Sequence, residues 1–463
     1  MLSYCSAMKK KSSPPSLTTG PIGQTLVRLA LPMLVGILGM MAFNVIDIFF
    51  VGKLGTVPLA AITLTFPVVM VIGTFTLGLG VGAMAVISRG IGAGDHSRIV
   101  RYSTDALTLA GLFVFIMTGI GMMTVDPLFR LLGASDAMLP YVREYMHIWY
   151  PGMLFYVVPM VGNNIIRATG DTLTPSIILL SGVVLNAVLD PILIFGLGPV
   201  PALGMAGAAA ATVIARGVTM LVTLLVLHFR EHLLTSPWPG LGQLTESWKT
   251  ILATGLPVAV SNAVIPVALG VITWMVTRFG EEAVAGFGIA SRVEGFGLAV
   301  IFALSTGISP FVGQNFGAGR FDRIAAGISL SRGFSLAWGL FLAVLFWFFA
   351  RPISSWFNNN PLVIESAVLY LWIVPFSLGL RSIHQIVWTS LNVLGRPWDS
   401  LVLEFLLALG LWIPLAWAGA ELAGTAGLYW GLTLANVVGG IVAYIWVDKV
   451  LKMERRRLSH ASA

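Results

Sequence analysis

The stretch GAGDHSRI, residues 92–99, returns as GAGRFDRI at residues 317–324, 225 positions later. The same displacement carries LVRLALP (26–32) onto ILATGLP (251–257) and VGKLGTVPLAA (51–61) onto VTRFGEEAVAG (276–286). It also carries Gly170 onto Gly395. Farther along, LGMAGAA (203–209) matches AGTAGLY (423–429) at 220, so one loop of the second half is shorter by five residues. A displacement held across separate segments marks an internal repeat.

The residues between these landmarks say what is repeated. Of 463 residues, 57% are hydrophobic and 10% charged, against about 25% charged in soluble domains. The apolar stretches run for about 20 residues, the length a membrane-spanning helix needs. The shorter alternating segments of a membrane β-barrel are absent. Spans are expected near 26–51, 59–88, 102–124, 145–167, 174–196 and 205–228, then 250–277, 284–313, 325–349, 366–392, 401–419 and 424–447.

The expected fold is therefore an all-α integral membrane protein, with twelve transmembrane helices in two pseudo-symmetric six-helix bundles. Six is even, so the halves share one orientation and enclose a cleft between them. The expected organisation is an N-terminal tail (1–25), an N-lobe (26–228), a polar linker (229–249), a C-lobe (250–447) and a basic tail (448–463).

Charge sets the orientation. Eighteen Lys and Arg residues fall at the two ends and in the even-numbered loops, and five fall on the opposite side. Both termini are expected to be cytoplasmic. The net charge of +7 resides largely in Lys9, Lys10, Lys11 and the tail DKVLKMERRRLSH, which suits a lipid bilayer surface and not nucleic acid. Cys5 is the only cysteine, which excludes a disulfide framework. The segment GIGAGD lacks the following Lys-Ser/Thr of a phosphate loop, so no nucleotide is expected.

A carboxylate within hydrocarbon costs roughly 2.5–3.5 kcal/mol and is functional by default. Asp47 lies in span 1 with Asn44 three residues before it, and Asp190 lies in span 5 with Asn186 four residues before it. Each amide–carboxylate pair shares a helical face, and such oxygen-rich faces suit Na⁺ or a proton. Pro191 cannot donate to the carbonyl of Ala187, which frees an oxygen beside Asp190. Asn163, Arg292, Glu294 and His384 are secondary candidates for lining the cavity; His384 suits either a proton relay or a capped side chain. Arg216 and Arg381 also fall in spans. Asp105 and Glu404 fall near the cytoplasmic ends, where water is expected to reach them. Thr212, in a small-residue run that lets helices approach, can offer a hydroxyl to the acidic pocket.

Taken together, RLALPMLVGILGMMAFNVIDIFFVGKLG, GIGAGD, RATGDT, LNAVLDPILIFGLG, LGMAGAA, GQNFGAGRFD and LNVLGRP resemble the multidrug and toxic compound extrusion (MATE) family. The resemblance runs from about Leu26 to Val447. It implies secondary active export of small amphipathic, often cationic compounds from a bacterial plasma (inner) membrane, coupled to inward H⁺ or Na⁺ movement, with no other cofactor, by a monomer. The pattern is similar to the DinF-like branch, which maps coupling onto Asp47, Asn186 and Asp190, with Thr212 from span 6. Pro32 matches a proline where that branch's first helix is proposed to bend. Span 7 has no acid, a departure from branches that place a glutamate there. A flippase of lipid-linked or other amphiphilic substrates is the alternative within the same superfamily.

Overall fold

A chain crossing lipid must satisfy every backbone N–H and C=O internally, and a helix does so segment by segment. The computed structural model describes residues 17–197, 201–236 and 240–461, with the side chains of 42–48, 241 and 457–461 outside that description. The first half comprises α1 (Ile22–Gly52), α2 (Thr56–Ala93), α3 (His96–Leu131), α4 (Leu139–Gly152), α5 (Leu154–Ala168), α6 (Leu173–Phe195) and α7 (Gly204–Leu225), the last continuing into a π-helical turn at Val226–Arg230. The second comprises α8 (Leu241–Thr277), α9 (Glu281–Gly317), α10 (Phe321–Phe357), α11 (Pro361–Ile373), a 3₁₀ turn at Val374–Ser377, α12 (Leu378–Val393), α13 (Pro397–Phe405), a π-helical segment at Leu406–Trp412 and α14 (Ile413–Ala461).

Two crossings are interrupted, and one helix holds parts of two crossings. Helices α4 and α5 meet at Met153, and α11 and α12 meet through the 3₁₀ turn. Helix α14 leaves helical geometry at Ala423 and Gly424, so it ends one crossing and makes another. The result is twelve crossings. Helices α2, α3, α8, α9 and α10 run 36–38 residues, well beyond the roughly 20 that hydrocarbon requires. Their ends therefore project past the apolar layer, which is why the apolar runs alone read shorter than the helices.

The repeat is visible in the backbone. Glycines with positive φ recur in pairs: Gly55 and Gly280 (119° and 102°), Gly94 and Gly319 (77° and 70°), and Gly170 and Gly395 (95° and 78°), each 225 apart. Gly204 and Gly424 (55° and 60°) recur at 220. These are turns that side chains avoid, held at the same places in both halves.

The halves meet along α2 against α8 and α1 against α9, contacts that the repeat interchanges. A Cβ on Gly82 would stand 2.6 Å from the Ile251 carbonyl, one on Gly78 2.8 Å from Ala259 Cβ, and one on Gly307 3.0 Å from the Ala30 nitrogen. All these approaches lie in the helix halves nearest the two termini. On α9, Phe296 is eleven residues before Gly307, about three turns away and thus on the same line. It is 52% exposed. The cleft is therefore shut on the side carrying the termini and open on the other.

Polar contacts seal the shut side. Gln314 donates from Nε2 to the Ala168 carbonyl (2.8 Å) and accepts from the Leu17 amide (3.2 Å). Asn315 donates to the Leu17 carbonyl (3.1 Å), and Arg323 donates to the carbonyls of Gly20 (2.9 Å) and Thr19 (3.1 Å). Leu17, Gln314 and Asn315 are all buried. Arg396 pairs with Glu454 on this same side (3.0 Å), which puts the end of α14 there too.

Candidate cation site and transport cleft

Helix α1 lies along α6. Gly36 faces Ser176 and Gly39 faces Leu180, while the Phe50 and Phe195 rings stand 6.4 Å apart. The two helices run parallel, so this register brings the backbone of Asp47 level with residues 186–190. The side chains of Asn44 and Asp47 lie outside the described residues. Helix α1 is continuous through Pro32.

On α6, Asn186 and Asp190 are completely buried. Asn186 Nδ2 donates to Asp190 Oδ1 at 3.1 Å and to Thr212 Oγ1 on α7 at 3.4 Å. The structure thus brings together Asn186, Asp190 and Thr212 from two helices. The close approach has a local cause: Gly207 on α7 leaves no room for a Cβ against the Leu193 carbonyl of α6. Asn186 Oδ1 is buried and accepts no hydrogen bond among the described residues. Helix α6 passes through Pro191, whose missing N–H leaves the Ala187 carbonyl without its helical donor. A carboxylate, an amide oxygen, a hydroxyl and a freed carbonyl form an oxygen donor set that fits Na⁺ or a proton.

A MatE family model matches the chain twice, over residues 32–192 and 257–418. The chain belongs to the MATE family. The two matches begin 225 residues apart, at the displacement of the repeat. An FAD transporter of Shewanella oneidensis is 35% identical over 434 residues, covering 94% of this chain and 96% of that one. The Vibrio cholerae MATE transporter VcmN in its bent form superposes with a TM-score of 0.90 at 30% identity, covering 94% of this chain and 98% of that one. An outward-facing multidrug resistance MATE family transporter superposes at 0.89 with 26% identity, covering 97% and 100%. This MATE chain is thus a multi-pass membrane transporter of the multidrug efflux family, whose members alternate access between the two sides.

Within this MATE fold the other sequence candidates sit as follows. Asn163 on α5 is buried and accepts from Thr223 Oγ1 at 3.4 Å. Arg216, on the α7 face between Thr212 and Thr223, stacks its guanidinium 4.2 Å above the Tyr156 ring. Glu294 on α9 is buried; it pairs with Arg381 of α12 and accepts from Tyr370 Oη at 2.6 Å. It therefore does not present a bare carboxylate to the cavity. Arg292 lies on the other side of α9, exposed and within about 60° of the Gly307 line, and it makes no ion pair among the described residues. His384 is buried, with Nε2 3.4 Å from the Leu403 carbonyl and Nδ1 4.0 Å from Glu404, so it does not line the cavity.

Two expectations are corrected. Asp105 and Glu404, placed by their sequence positions in water, are both buried. Asp105 is clamped by Arg101 one turn earlier, with Nε 2.8 Å from Oδ2, and Glu404 sits against His384. Glu404 lies two residues before the π-helical segment Leu406–Trp412, an irregularity that often accompanies functional positions. The buried Gln314 and Asn315 were not singled out from sequence. The available signal was an adjacent amide pair at the head of the repeated GAGR motif.

Proposed function

We propose that this chain is a cation-coupled exporter of amphipathic compounds in a bacterial plasma membrane, with both termini cytoplasmic. Residues 26–228 form the N-lobe, 250–447 the C-lobe, and 229–249 the linker on which they rock. Inward movement of H⁺ or Na⁺ drives export, with Asp190, Asn186 and Thr212 as the coupling site and Asp47 at the same level of α1. The observation that carries this reading is the wholly buried Asn186–Asp190–Thr212 cluster beside Pro191. In the cleft open away from the termini, a cation arrives at Asp190. Its charge neutralises the carboxylate, and repacking near Pro32 and Pro191 releases the cargo outward. One charge moving down 100 mV supplies about 2.3 kcal/mol, to which a chemical gradient adds. This is the pattern of the DinF-like branch.

Organic cations are the cargo expected from the family resemblance. A second reading has a specific observation in its favour. The relative at 35% identity is named for FAD, whereas the multidrug relative MepA of Staphylococcus haemolyticus is 26% identical. Proteoliposomes loaded with either FAD or ethidium, both fluorescent, test the two readings under an imposed pH or Na⁺ gradient. Gradient-dependent efflux of either compound supports the exporter. No efflux of either under any gradient contradicts it.

A further inference from the structure

The repeat breaks where the chain enters its first helix. Residues 17–20 stand 225 positions before residues 242–245. The later segment lies within α8, which begins at Leu241, whereas the earlier one lies outside α1, which begins at Ile22. Pro21 is the cause. It occupies the N-cap of α1, where the second half has Glu246, and a residue before proline is driven out of helical geometry. Gly20 accordingly turns at a φ of 78°, a conformation that side chains avoid. The chain before α1 is thereby sent across the mouth at the termini as a strap, instead of lengthening the helix.

The strap is seated on the second half. Arg323 of α10 donates to three of its four carbonyls, those of Gly20 (2.9 Å), Thr19 (3.1 Å) and Leu17 (3.4 Å). Arg320 donates to the fourth, that of Thr18, at 3.1 Å. Arg323 Nε also donates to Asn315 Oδ1 at 3.2 Å, which aims the Asn315 amide at the Leu17 carbonyl. The Leu17 side chain turns the other way. It is 2% exposed and packs on Gly170 of the first half, where an added Cβ would stand 3.3 Å from it. The repeat supplies no second strap. Arg98, 225 positions before Arg323, donates to Tyr102 Oη of its own helix at 3.5 Å.

We propose that residues 17–20 are a latch: the strap locks the mouth at the termini and leaves its seat on Asn315, Arg320 and Arg323 before that mouth opens. The reason is mechanical. The strap is continuous with α1, while its seat lies on α9 and α10. Helix α1 packs on α9 at this end, with a Cβ on Gly307 only 3.0 Å from the Ala30 nitrogen. Opening parts the two helices, so the bonds of the strap do not outlast it. Lacking a counterpart in the other half, the latch weights the two access states unequally, toward the form open away from the termini. The inference rests on alternating access and holds for either coupling ion and any cargo.

The test measures spin-label distances in the purified full-length protein in lipid nanodiscs, with Cys5→Ser as background. One label pair spans the mouth, on α2 and α8. The other joins Thr19→Cys to Leu340→Cys, both exposed positions, and reports whether the strap has left α10. Arg323→Gln removes charge-assisted bonds and should raise the open-mouth population roughly tenfold or more, with an equal population at a longer strap–α10 distance. Gly20→Ala removes no contact, since nothing lies within 4 Å of the added carbon. Its strained turn should raise both populations about fivefold. Arg98→Gln deletes an exposed charge at the matching place of the first half and should leave both within about twofold of wild type. A mouth that opens while the strap–α10 distance stays fixed overturns the proposal, because the strap then rides with the moving half. Arg323→Gln and Gly20→Ala that change neither distance more than Arg98→Gln overturn it as well. If Arg323→Gln is not monodisperse, Gly20→Ala alone decides by the same two distances.

Discussion

Gln314 and Arg89 lie 225 residues apart, occupy equivalent places in the two halves, and each reaches into the other half. Gln314 Nε2 donates to the Ala168 carbonyl at 2.8 Å. The Arg89 guanidinium lies so near Gly395 that a Cβ there would stand 2.6 Å from it. Ala168 ends α5 and Gly395 follows α12, the fourth crossings of their halves. The shut end of the cleft is thus a reciprocal clasp built from the repeat that sets the fold.

Gln314→Ala removes the hydrogen bonds to Leu17 and Ala168. At about 1 kcal/mol net each, their loss should shift the population toward the form open at the termini by roughly 30-fold. Spin-label distances across that mouth, between sites on α2 and α8, should lengthen in the variant. Unchanged distance distributions would count against the clasp.

Close helix approach at Gly82 should be equally sensitive. A Cβ there would stand 2.6 Å from the Ile251 carbonyl, so Gly82→Val should hold the halves apart at that end. Transport should fall at least tenfold, with helix content by circular dichroism unchanged, an overpacking cost of about 1–3 kcal/mol. Gly119, with nothing within 4 Å of a would-be Cβ, provides the control: Gly119→Ala should transport normally.

Much of this architecture was legible in the sequence, for identifiable reasons. Twelve apolar runs and four repeated segments gave the crossings and the duplication, because hydrocarbon thickness and tight glycine turns leave local signatures. The Asn186–Asp190 pair was legible because helical spacing puts both on one face. Contacts between distant crossings were not. Glu294 meets Arg381 across 87 positions and Glu404 meets His384 across about twenty, and only the packed bundle defines such pairs. The interruptions at Met153 and at Val374–Ser377 escaped for a related reason. Each falls inside a single apolar run, so hydropathy alone does not mark it, whereas the break at Ala423–Gly424 falls where two expected spans meet.

The Glu294–Arg381 pair should behave as a unit. Removing Arg381 alone leaves a buried carboxylate uncompensated, a loss of about 3 kcal/mol or more. Arg381→Gln should therefore lower the melting temperature measurably, and adding Glu294→Gln should restore most of the loss. Additive destabilisation in the double variant would show that the two groups are stabilised independently.

Energy coupling through Asp190 is tested most directly by efflux from proteoliposomes containing Asp190→Asn, with a pH or Na⁺ gradient imposed. The amide keeps the shape of the side chain and an oxygen for Asn186, so the variant should insert, fold and bind cargo. Gradient-driven efflux should drop to the leak rate. Efflux at the wild-type rate, still dependent on the gradient, would contradict the assignment of coupling to this carboxylate.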